Sequence, residues 1–389
     1  MYNEELRPSR PIRWAMVGGG RGSEIGYAHR SAAIRDGSFE LVAGAFDIDA
    51  EACVSFGVNL GVQEQRCYSD YVTMFAKEAQ RDDGIEAVSI ATPNATHYAI
   101  SKAALEAGLH VVCEKPLTFT MAEAEELEQL SRRKRLLLGV TYGYSGFPMI
   151  HQARAMVRNG DLGKIRIVNM QFAHGFHSAP VDGAGAKWRM NPSTSGPSYV
   201  LGDTGTHAFY LGQMIAELEV ERLLCTRQSF VPGREPLEDN ANVLLKFKGG
   251  AVGNLWASAV NAGSMHQQKI RVIGEKASLE WWDEYPNQLR FEQQGKPAQI
   301  LERGMDYLYL DDKGVNDFRV GGGHAEGFFD AWANIYRRFA NVIEHLHSGN
   351  DSAVSQLWYP DAQAGVEGVR FIERCIESVD NGETWVDYT

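Results

Sequence analysis

Residues 12–26 read IRWAMVGGGRGSEIG, and this stretch decides the fold of the first part of the chain. The apolar run 12–17 is short and stops at glycines, which is typical of a buried strand. Helix-like sequence resumes near Ile25. A glycine-rich turn between a first strand and a first helix directs backbone N–H groups at a pyrophosphate. The stretch therefore predicts a nucleotide-binding strand–turn–helix unit, with a flexible loop as the alternative.

Three glycines of this turn, Gly18, Gly20 and Gly26, are the candidate contacts of the dinucleotide. Ser23 stands where the third glycine of GxGxxG would fall, so Gly26 takes that role behind a three-residue insertion. The next strand ends at Asp47, close to the motif's expected spacing of about 20 residues. A carboxylate there accepts hydrogen bonds from the adenosine ribose and repels a 2′-phosphate. We therefore expect NAD rather than NADP, with a turn or helix cap as the alternative role of Asp47.

Strand-like and helix-like segments alternate from residue 12 to about residue 140. This alternation predicts a parallel sheet with helices on both faces, a doubly wound domain of residues 1–145. Beyond Gly163 the chain has strand-like runs with hairpin signals, which predict an open, largely antiparallel sheet. The fold class is thus α/β followed by α+β. Residues 146–389 form the second domain, whose last helices are candidates for packing back on the first.

Composition excludes several classes of protein. The 389 residues carry a net charge of −12, which disfavours nucleic-acid binding. The five cysteines are scattered without CxxC spacing, which argues against a disulfide scaffold or structural zinc and favours a reducing compartment. The polar start of the chain lacks a signal core, and no window of about 20 apolar residues occurs. We expect a cytoplasmic protein with a small-molecule partner and no membrane contact.

The run Thr92-Pro93-Asn94-Ala95-Thr96-His97 follows a predicted strand at 87–90. Ligands bind at the carboxyl ends of strands in doubly wound sheets, so Thr92, Pro93, Asn94 and His97 are candidate cofactor contacts. Alternatively, Asn94 or Thr96 caps the following helix, and His97 is a core or surface histidine. By itself, the run does not identify a function.

Two further groups have side chains suited to catalysis. Glu114-Lys115-Pro116 ends the next strand, where a lysine can donate to a substrate oxygen, although a solvated lysine in a turn is the common alternative. Asp203 and His207 are four residues apart and share one face of a predicted helix at 201–215. A carboxylate and an imidazole on one face can bind a hydroxyl and accept its proton. The alternative is that Asp203 and His207 are an ordinary pair on a helix surface. The presence of Lys115 upstream favours the functional interpretation instead.

These runs resemble a known family. Thr92-Pro93-Asn94 with His97, followed by ALEAGLHVVCEKPL at residues 104–117, resembles the glucose–fructose oxidoreductase, inositol dehydrogenase and rhizopine catabolism family, Gfo/Idh/MocA. Gly202-Asp203-Thr204-Gly205-Thr206-His207 matches the family's D-x-x-x-H signature. The resemblance extends from Ile12 to about residue 380. It implies an N-terminal Rossmann domain and a C-terminal domain with an open sheet. Relatives pair through that sheet, so we expect a homodimer or homotetramer.

The resemblance also implies residue roles. A hydride leaves a ring C–H for the nicotinamide, His207 takes the hydroxyl proton, and Lys115 hydrogen-bonds the same oxygen. Asp203 holds a neighbouring hydroxyl, Glu114 and Lys115 lie at the cofactor, and the Lys115–Pro116 bond is cis. The expected activity is an NAD(P)-dependent dehydrogenase acting on CH–OH groups of a cyclitol, sugar or glycoside.

Two alternative functions stay open within the same fold. One is a redox-neutral NAD-dependent glycoside hydrolase or a cofactor-retaining oxidoreductase. The other is a non-catalytic sugar sensor, which Lys115 disfavours because such relatives would be expected to lose the catalytic lysine.

Four residues are candidate substrate contacts, namely Tyr144, Trp188, Arg189 and His324. Trp188-Arg189 resembles the family's substrate-side loop, where tryptophan can stack on a sugar face and arginine can donate to its hydroxyls. A packed loop anchor is the alternative. Tyr144 stands near a position where relatives often carry arginine. His174 and His177 suggest a metal, but no carboxylate or cysteine accompanies them in the sequence, so we expect none.

Overall fold

Five parallel strands form the central sheet of the first part of the chain, in the spatial order β2-β1-β3-β4-β5. The structure is a computed structural model that describes residues 8–180, 183, 187–309 and 317–389. The first seven residues, part of the polar start considered above, lie outside the described residues, as does part of the loop before Trp188. The strands are β1 (Ile12–Gly18), β2 (Phe39–Ala45), β3 (Ala87–Ala91), β4 (His110–Cys113) and β5 (Leu138–Val140).

Five helices connect or follow these strands: α1 (Glu24–Arg35), α2 (Ala50–Asn59), α3 (Tyr71–Glu78), α4 (His97–Glu106) and α5 (Met121–Lys134). β3 and β4 are buried at every residue, as expected for strands covered on both faces. The strand order reverses direction between β1 and β3, so their carboxyl ends flank the crevice where such sheets hold ligands. The predicted doubly wound parallel sheet is confirmed.

The described residues cluster into two units. The first unit comprises residues up to 143 together with 328–366, and the second comprises 144–327 together with 367–389. The first unit therefore includes α8 (Phe328–His347), which packs against α1 although it is distant in sequence. The predicted division into residues 1–145 and 146–389 stays a prediction.

A buried chain of polar groups joins α8 to the parallel sheet. The Tyr336 hydroxyl is 2.7 Å from the Ser89 hydroxyl and also bonds to His29 Nδ1. Ser89 in turn accepts from Trp14 Nε1 at 2.9 Å. His29 Nε2 lies 3.2 Å from a carboxylate oxygen of Glu114. The network thus connects α8 and α1 to the end of β4, directly before Lys115.

The second unit is built on a nine-stranded sheet in the order β13-β12-β11-β10-β6-β9-β8-β7-β14. All neighbouring strands are antiparallel except β6 and β9, which confirms the largely antiparallel sheet. The strands are β6 (Ile165–Ala173), β7 (Val220–Gln228), β8 (Asn240–Phe247), β9 (Val252–Ser258), β10 (Gln268–Gly274), β11 (Ala277–Trp282), β12 (Gln288–Gln293), β13 (Gln299–Glu302) and β14 (Val386–Asp387).

Three helices accompany this sheet: α6 (Pro148–Arg158), α7 (Thr206–Ala216) and α9 (Ala362–Asp380). α7 packs against α6 and against β6 and β10, and Phe209 of α7 stacks on Phe371 of α9 with ring centroids 4.3 Å apart. The sequence analysis did not predict α6, β12, β13 or β14. None of the described helices is long and apolar enough to cross a membrane.

The buried network predicts a stability effect of the Tyr336 hydroxyl. Tyr336→Phe leaves the Ser89 hydroxyl and His29 short of a partner, so we expect the free energy of unfolding to fall by about 1–3 kcal/mol. Urea unfolding of the full chain measures the change. Tyr98→Phe is the matched control, because the Tyr98 hydroxyl bonds to Glu126 at the surface. Equal shifts of the unfolding midpoint for both variants would contradict the account.

Candidate functional site

The glycine turn is held in close contact with neighbouring backbone. Gly18 has φ +74°, and a Cβ there would lie 2.5 Å from the carbonyl oxygen of Ala91. A Cβ at Gly26 would lie 2.3 Å from the carbonyl oxygen of Gly19. Only glycine permits this approach of α1 to the turn, which is the packing role of the third glycine in dinucleotide-binding turns. Ser23 instead caps α1, because its hydroxyl accepts from the Gly26 amide at 3.0 Å.

Asp47 lies at the carboxyl end of β2, beside the turn. A Cβ at Gly20 would be 3.8 Å from its Oδ2, so the carboxylate is close to the glycine backbone. The Asp47 side chain is exposed, and its Oδ1 accepts from the Asp49 amide at 3.0 Å. Asp49, not Asp47, caps α2 by accepting from the Ala52 amide. Asp47 therefore has the turn role considered above, and its contact with the ribose stays a prediction.

His97 ties together the loops that follow β3 and β4. Its ring is fully buried, with Nδ1 2.9 Å from the carbonyl oxygen of Pro116 and Nε2 3.0 Å from that of Thr92. Burial lowers the pKa of His97, which favours the neutral ring. The side chain thus holds the two loops together, as the alternative of a core histidine predicts. Thr96 makes no side-chain cap on α4, since its hydroxyl bonds to Thr92 and to the Pro93 carbonyl.

Glu114 places a charged group inside the protein next to Lys115. Its carboxylate contacts His29 and accepts from the Thr141 hydroxyl. Burial raises the pKa of Glu114, but the His29 hydrogen bond and the charges of His29 and Lys115 outweigh it, so the net shift is downward. Lys115 is half-buried, and the Lys115–Pro116 peptide bond is cis, as the resemblance implies.

In the second unit, Asp203 and His207 lie on consecutive helical elements. Leu201–Gly205 forms a π-helical turn that continues into the α-helix at Thr206, so the helix predicted over 201–215 is present but begins with a π turn. The threonines of this segment donate hydroxyls to carbonyls four residues back: Thr204 to Val200 and Thr206 to Gly202. Such π turns frequently occur at functional sites.

A buried carboxylate that the sequence analysis missed holds the start of this segment. Glu238 Oε1 accepts from the backbone amides of Tyr199 and Leu201, at 3.0 and 3.1 Å, and from the Ser198 hydroxyl. Burial raises the pKa of Glu238 despite these bonds. Glu238 is distant in sequence from the helix it anchors and carries no motif, so no local signal points to it.

His207 belongs to a cluster of aromatic and imidazole rings that pack around Phe172. His207 is almost fully buried, and its ring packs edge-to-face on Tyr144 with centroids 5.0 Å apart. Phe172 contacts the rings of Tyr144, His207 and His266, at 5.7, 6.2 and 4.5 Å. The predicted substrate residue Tyr144 is therefore adjacent to the predicted base.

His174 and His177 lie at the end of β6, in the same unit. Burial lowers the pKa of His174 to about 4. Its Nδ1 accepts from the Phe176 amide at 3.3 Å, which assigns the ring proton to Nε2. His177 Nδ1 bonds to the Tyr199 hydroxyl. Among the described residues, no group of three or more His, Cys, Asp or Glu is arranged to hold a metal ion.

Trp188 and Arg189 lie beside Asp203. Arg189 Nε donates to Asp203 Oδ2 at 3.2 Å, and its guanidinium stacks on the Trp188 ring with a separation of 4.6 Å. His324 has an exposed side chain, and its carbonyl accepts from the Arg303 guanidinium. The structure thus brings Trp188 and Arg189 to the Asp203 carboxylate, whereas His324 stays a prediction.

Comparison with known proteins identifies the family. The profile of the oxidoreductase family NAD-binding Rossmann fold matches residues 12–142, and that of its C-terminal alpha/beta domain matches residues 154–388. The chain belongs to the Gfo/Idh/MocA oxidoreductase family. The predicted family and cofactor, NAD, are confirmed, and the protein is an NAD-dependent oxidoreductase.

Several known proteins match essentially the whole chain. An inositol dehydrogenase homolog from Azotobacter vinelandii, solved with NAD⁺, is 60% identical over 100% of both chains, with a TM-score of 0.97. A second structure from that organism, an inositol dehydrogenase homolog with NADH and myo-inositol, is 61% identical over 98% of this chain and 99% of its own, with a TM-score of 0.94. YfiI of Bacillus subtilis (strain 168), an uncharacterized oxidoreductase, is 54% identical over 100% of both chains.

The packing of the glycine turn predicts the effect of a single methyl group. Gly26→Ala forces α1 away from Gly19, at a cost of roughly 1–3 kcal/mol, so we expect NAD to bind about tenfold to a hundredfold more weakly. Titration calorimetry measures the affinity. Gly321→Ala is the control, because the space around its Cβ is open, its φ lies outside the left-handed region, and it lies in the second unit. Unchanged NAD affinity in Gly26→Ala would contradict a role of the Gly19–Gly26 contact in NAD binding.

Proposed function

We propose that this protein oxidises a secondary alcohol of a cyclitol, with myo-inositol as the first substrate to test. The supporting observation is the 61% identity, over nearly the whole chain, to a structure that contains NADH and myo-inositol. Lys115, Asp203 and His207, the residues of the family signatures, are all present. Sugars and glycosides remain the wider substrate class.

The cofactor residues in this proposal are those at the carboxyl edge of the parallel sheet. Gly18, Gly20 and Gly26 give the backbone room that a pyrophosphate needs, and Asp47 accepts from the ribose hydroxyls. The loop from Thr92 to Asn94 and the Glu114–Lys115 turn, joined by His97, border the same edge. Bound NAD supplies the nicotinamide ring that accepts a hydride.

In this proposal the second unit supplies the base, His207, and the first unit supplies Lys115. His207 accepts the proton of the hydroxyl that is oxidised, because a neutral imidazole nitrogen can act as a general base. Lys115 donates a hydrogen bond to that oxygen and favours the developing alkoxide. Asp203, already paired with Arg189, accepts from a neighbouring hydroxyl. Trp188 and Arg189 contact the ring and its hydroxyls, and Tyr144 lines the site beside His207.

We propose further that copies of the chain associate through the nine-stranded sheet. Ile167 of β6 and Val252 of β9 are register partners, and both are substantially exposed, as is Leu244 of β8. These side chains lie on the face opposite the buried Val168, Val243 and Leu255. Exposed apolar side chains on the central strands of a sheet are typical of a face that another subunit covers.

Steady-state kinetics test the proposed activity. Purified protein is given NAD or NADP with inositols, free sugars and glucosides, and NADH or NADPH is followed by absorbance. We expect NAD reduction with an inositol, and a loss of kcat of about a hundredfold to ten-thousandfold in Lys115→Met and His207→Asn. Lys296→Met and His345→Asn, outside the proposed machinery, should retain kcat.

Other results would change the assignment. Faster turnover with NADP would refute the role of Asp47. Glucoside cleavage without net NADH would indicate the redox-neutral reaction instead, and binding of a sugar without any turnover would indicate a sensor.

Sedimentation tests the proposed association. We expect a mass of two or four times the 43.1 kDa chain, because the exposed apolar residues need a partner surface. Ile167→Asp combined with Val252→Asp should lower the mass to that of one chain. Ile48→Asp, at an exposed position of the first unit, should not. A native protein that sediments as a monomer at micromolar concentration would refute the proposal.

A further inference from the structure

We propose that His266 and Asp283 form a positioning dyad that fixes Tyr144, and through it the imidazole of His207. The inference rests on the proposed role of His207 as the base. Four side chains from separate segments of the second unit take part: Tyr144, His207, His266 and Asp283.

The dyad itself is a carboxylate–imidazole pair. Asp283 Oδ2 bonds to His266 Nδ1, and the Asp283 side chain is only 6% exposed. Its other oxygen, Oδ1, accepts from the Gln268 amide at 3.1 Å. A carboxylate at Nδ1 requires a proton on that nitrogen and fixes the ring plane. His266 Nε2 is thereby directed at the Tyr144 hydroxyl, 3.3 Å away.

Tyr144 transmits this orientation to His207 by packing. The two rings are 89° apart in plane with centroids separated by 5.0 Å, an edge-to-face arrangement. Phe172 packs against both rings and against His266, which closes the cluster. Rotation of the His207 ring would therefore require Tyr144 to move. The hydrogen bond between the Tyr144 hydroxyl and His266 Nε2 opposes that movement.

The backbone next to His266 is held in an uncommon conformation. Gln267 has φ +58°, in the left-handed region that non-glycine residues rarely adopt. Its amide and its side-chain Nε2 both donate to Glu284 Oε1 at 3.1 Å. Asp283 and Glu284, consecutive residues after β11, thus anchor residues 266–268 together. Backbone strain that is retained by several specific contacts clusters at functional sites.

A double-mutant cycle tests the dyad. We measure kcat and KM with myo-inositol and NAD for Tyr144→Phe, His266→Ala and the double variant, with thermal unfolding alongside. Each single change should lower kcat about three- to tenfold with the KM for NAD unchanged, and the double change should add nothing further, because both remove one hydrogen bond. Asp283→Asn should behave like His266→Ala. Tyr285→Phe, an exposed tyrosine in the same region, should retain kcat.

A second readout separates this inference from the proposed function. The ring signals of His207, assigned by their loss in His207→Asn, are followed by NMR of histidine-labelled protein. His266→Ala and Tyr144→Phe should shift or broaden them, whereas Tyr285→Phe should not. Additive losses of kcat, or an unmoved His207 signal, would overturn the dyad. Full activity of His207→Asn, or no NAD reduction by native protein, would instead overturn the proposed function, and the NMR result would still decide the dyad.

Discussion

The contact between Gly26 and Gly19 is the constraint on which the cofactor edge depends. Because neither residue has a side chain, α1 can begin in direct contact with the turn, and the Ser23 hydroxyl caps it by accepting from the Gly26 amide. The turn is also pressed against the end of β3, since Gly18 lies against the Ala91 carbonyl. The reversal of strand order at β1 and β3 then leaves a crevice at this edge. The candidate cofactor residues of the first unit lie at or after the carboxyl ends of β1 to β4.

Buried carboxylates support the candidate residues in both units. The pKa of Glu114 is lowered inside the first unit because the interactions with His29, Lys115 and Thr141 outweigh its burial. Glu238 anchors the π-helical turn that carries Asp203 by accepting three hydrogen bonds at one oxygen. Removing the partners of such groups costs more than the bonds themselves contribute, so these contacts hold the site segments in defined positions.

The sequence predicted the features whose signals are local. The glycine turn, Asp47, the Glu-Lys-Pro turn and the Asp203–His207 pair each follow from a short motif, and the alternation of strands and helices predicted the parallel sheet. The supporting groups escaped prediction because they act across long sequence separations: Glu238 on the 199–201 amides, and Asp283 through His266 on Tyr144. Helix α6 was missed because its buried face includes His151 and Gln152, which weaken the apolar pattern.

In the proposed reaction, a C–H hydrogen of a ring alcohol is transferred to the nicotinamide of NAD. Myo-inositol deuterated at its ring carbons, incubated with NAD and the protein, tests it directly by mass spectrometry of the nucleotide product. The account predicts NADH that carries one deuterium at the nicotinamide ring, and none when unlabelled inositol is supplied. NADH that forms without deuterium, or labelled inositol that is consumed while NAD stays oxidised, would contradict the account.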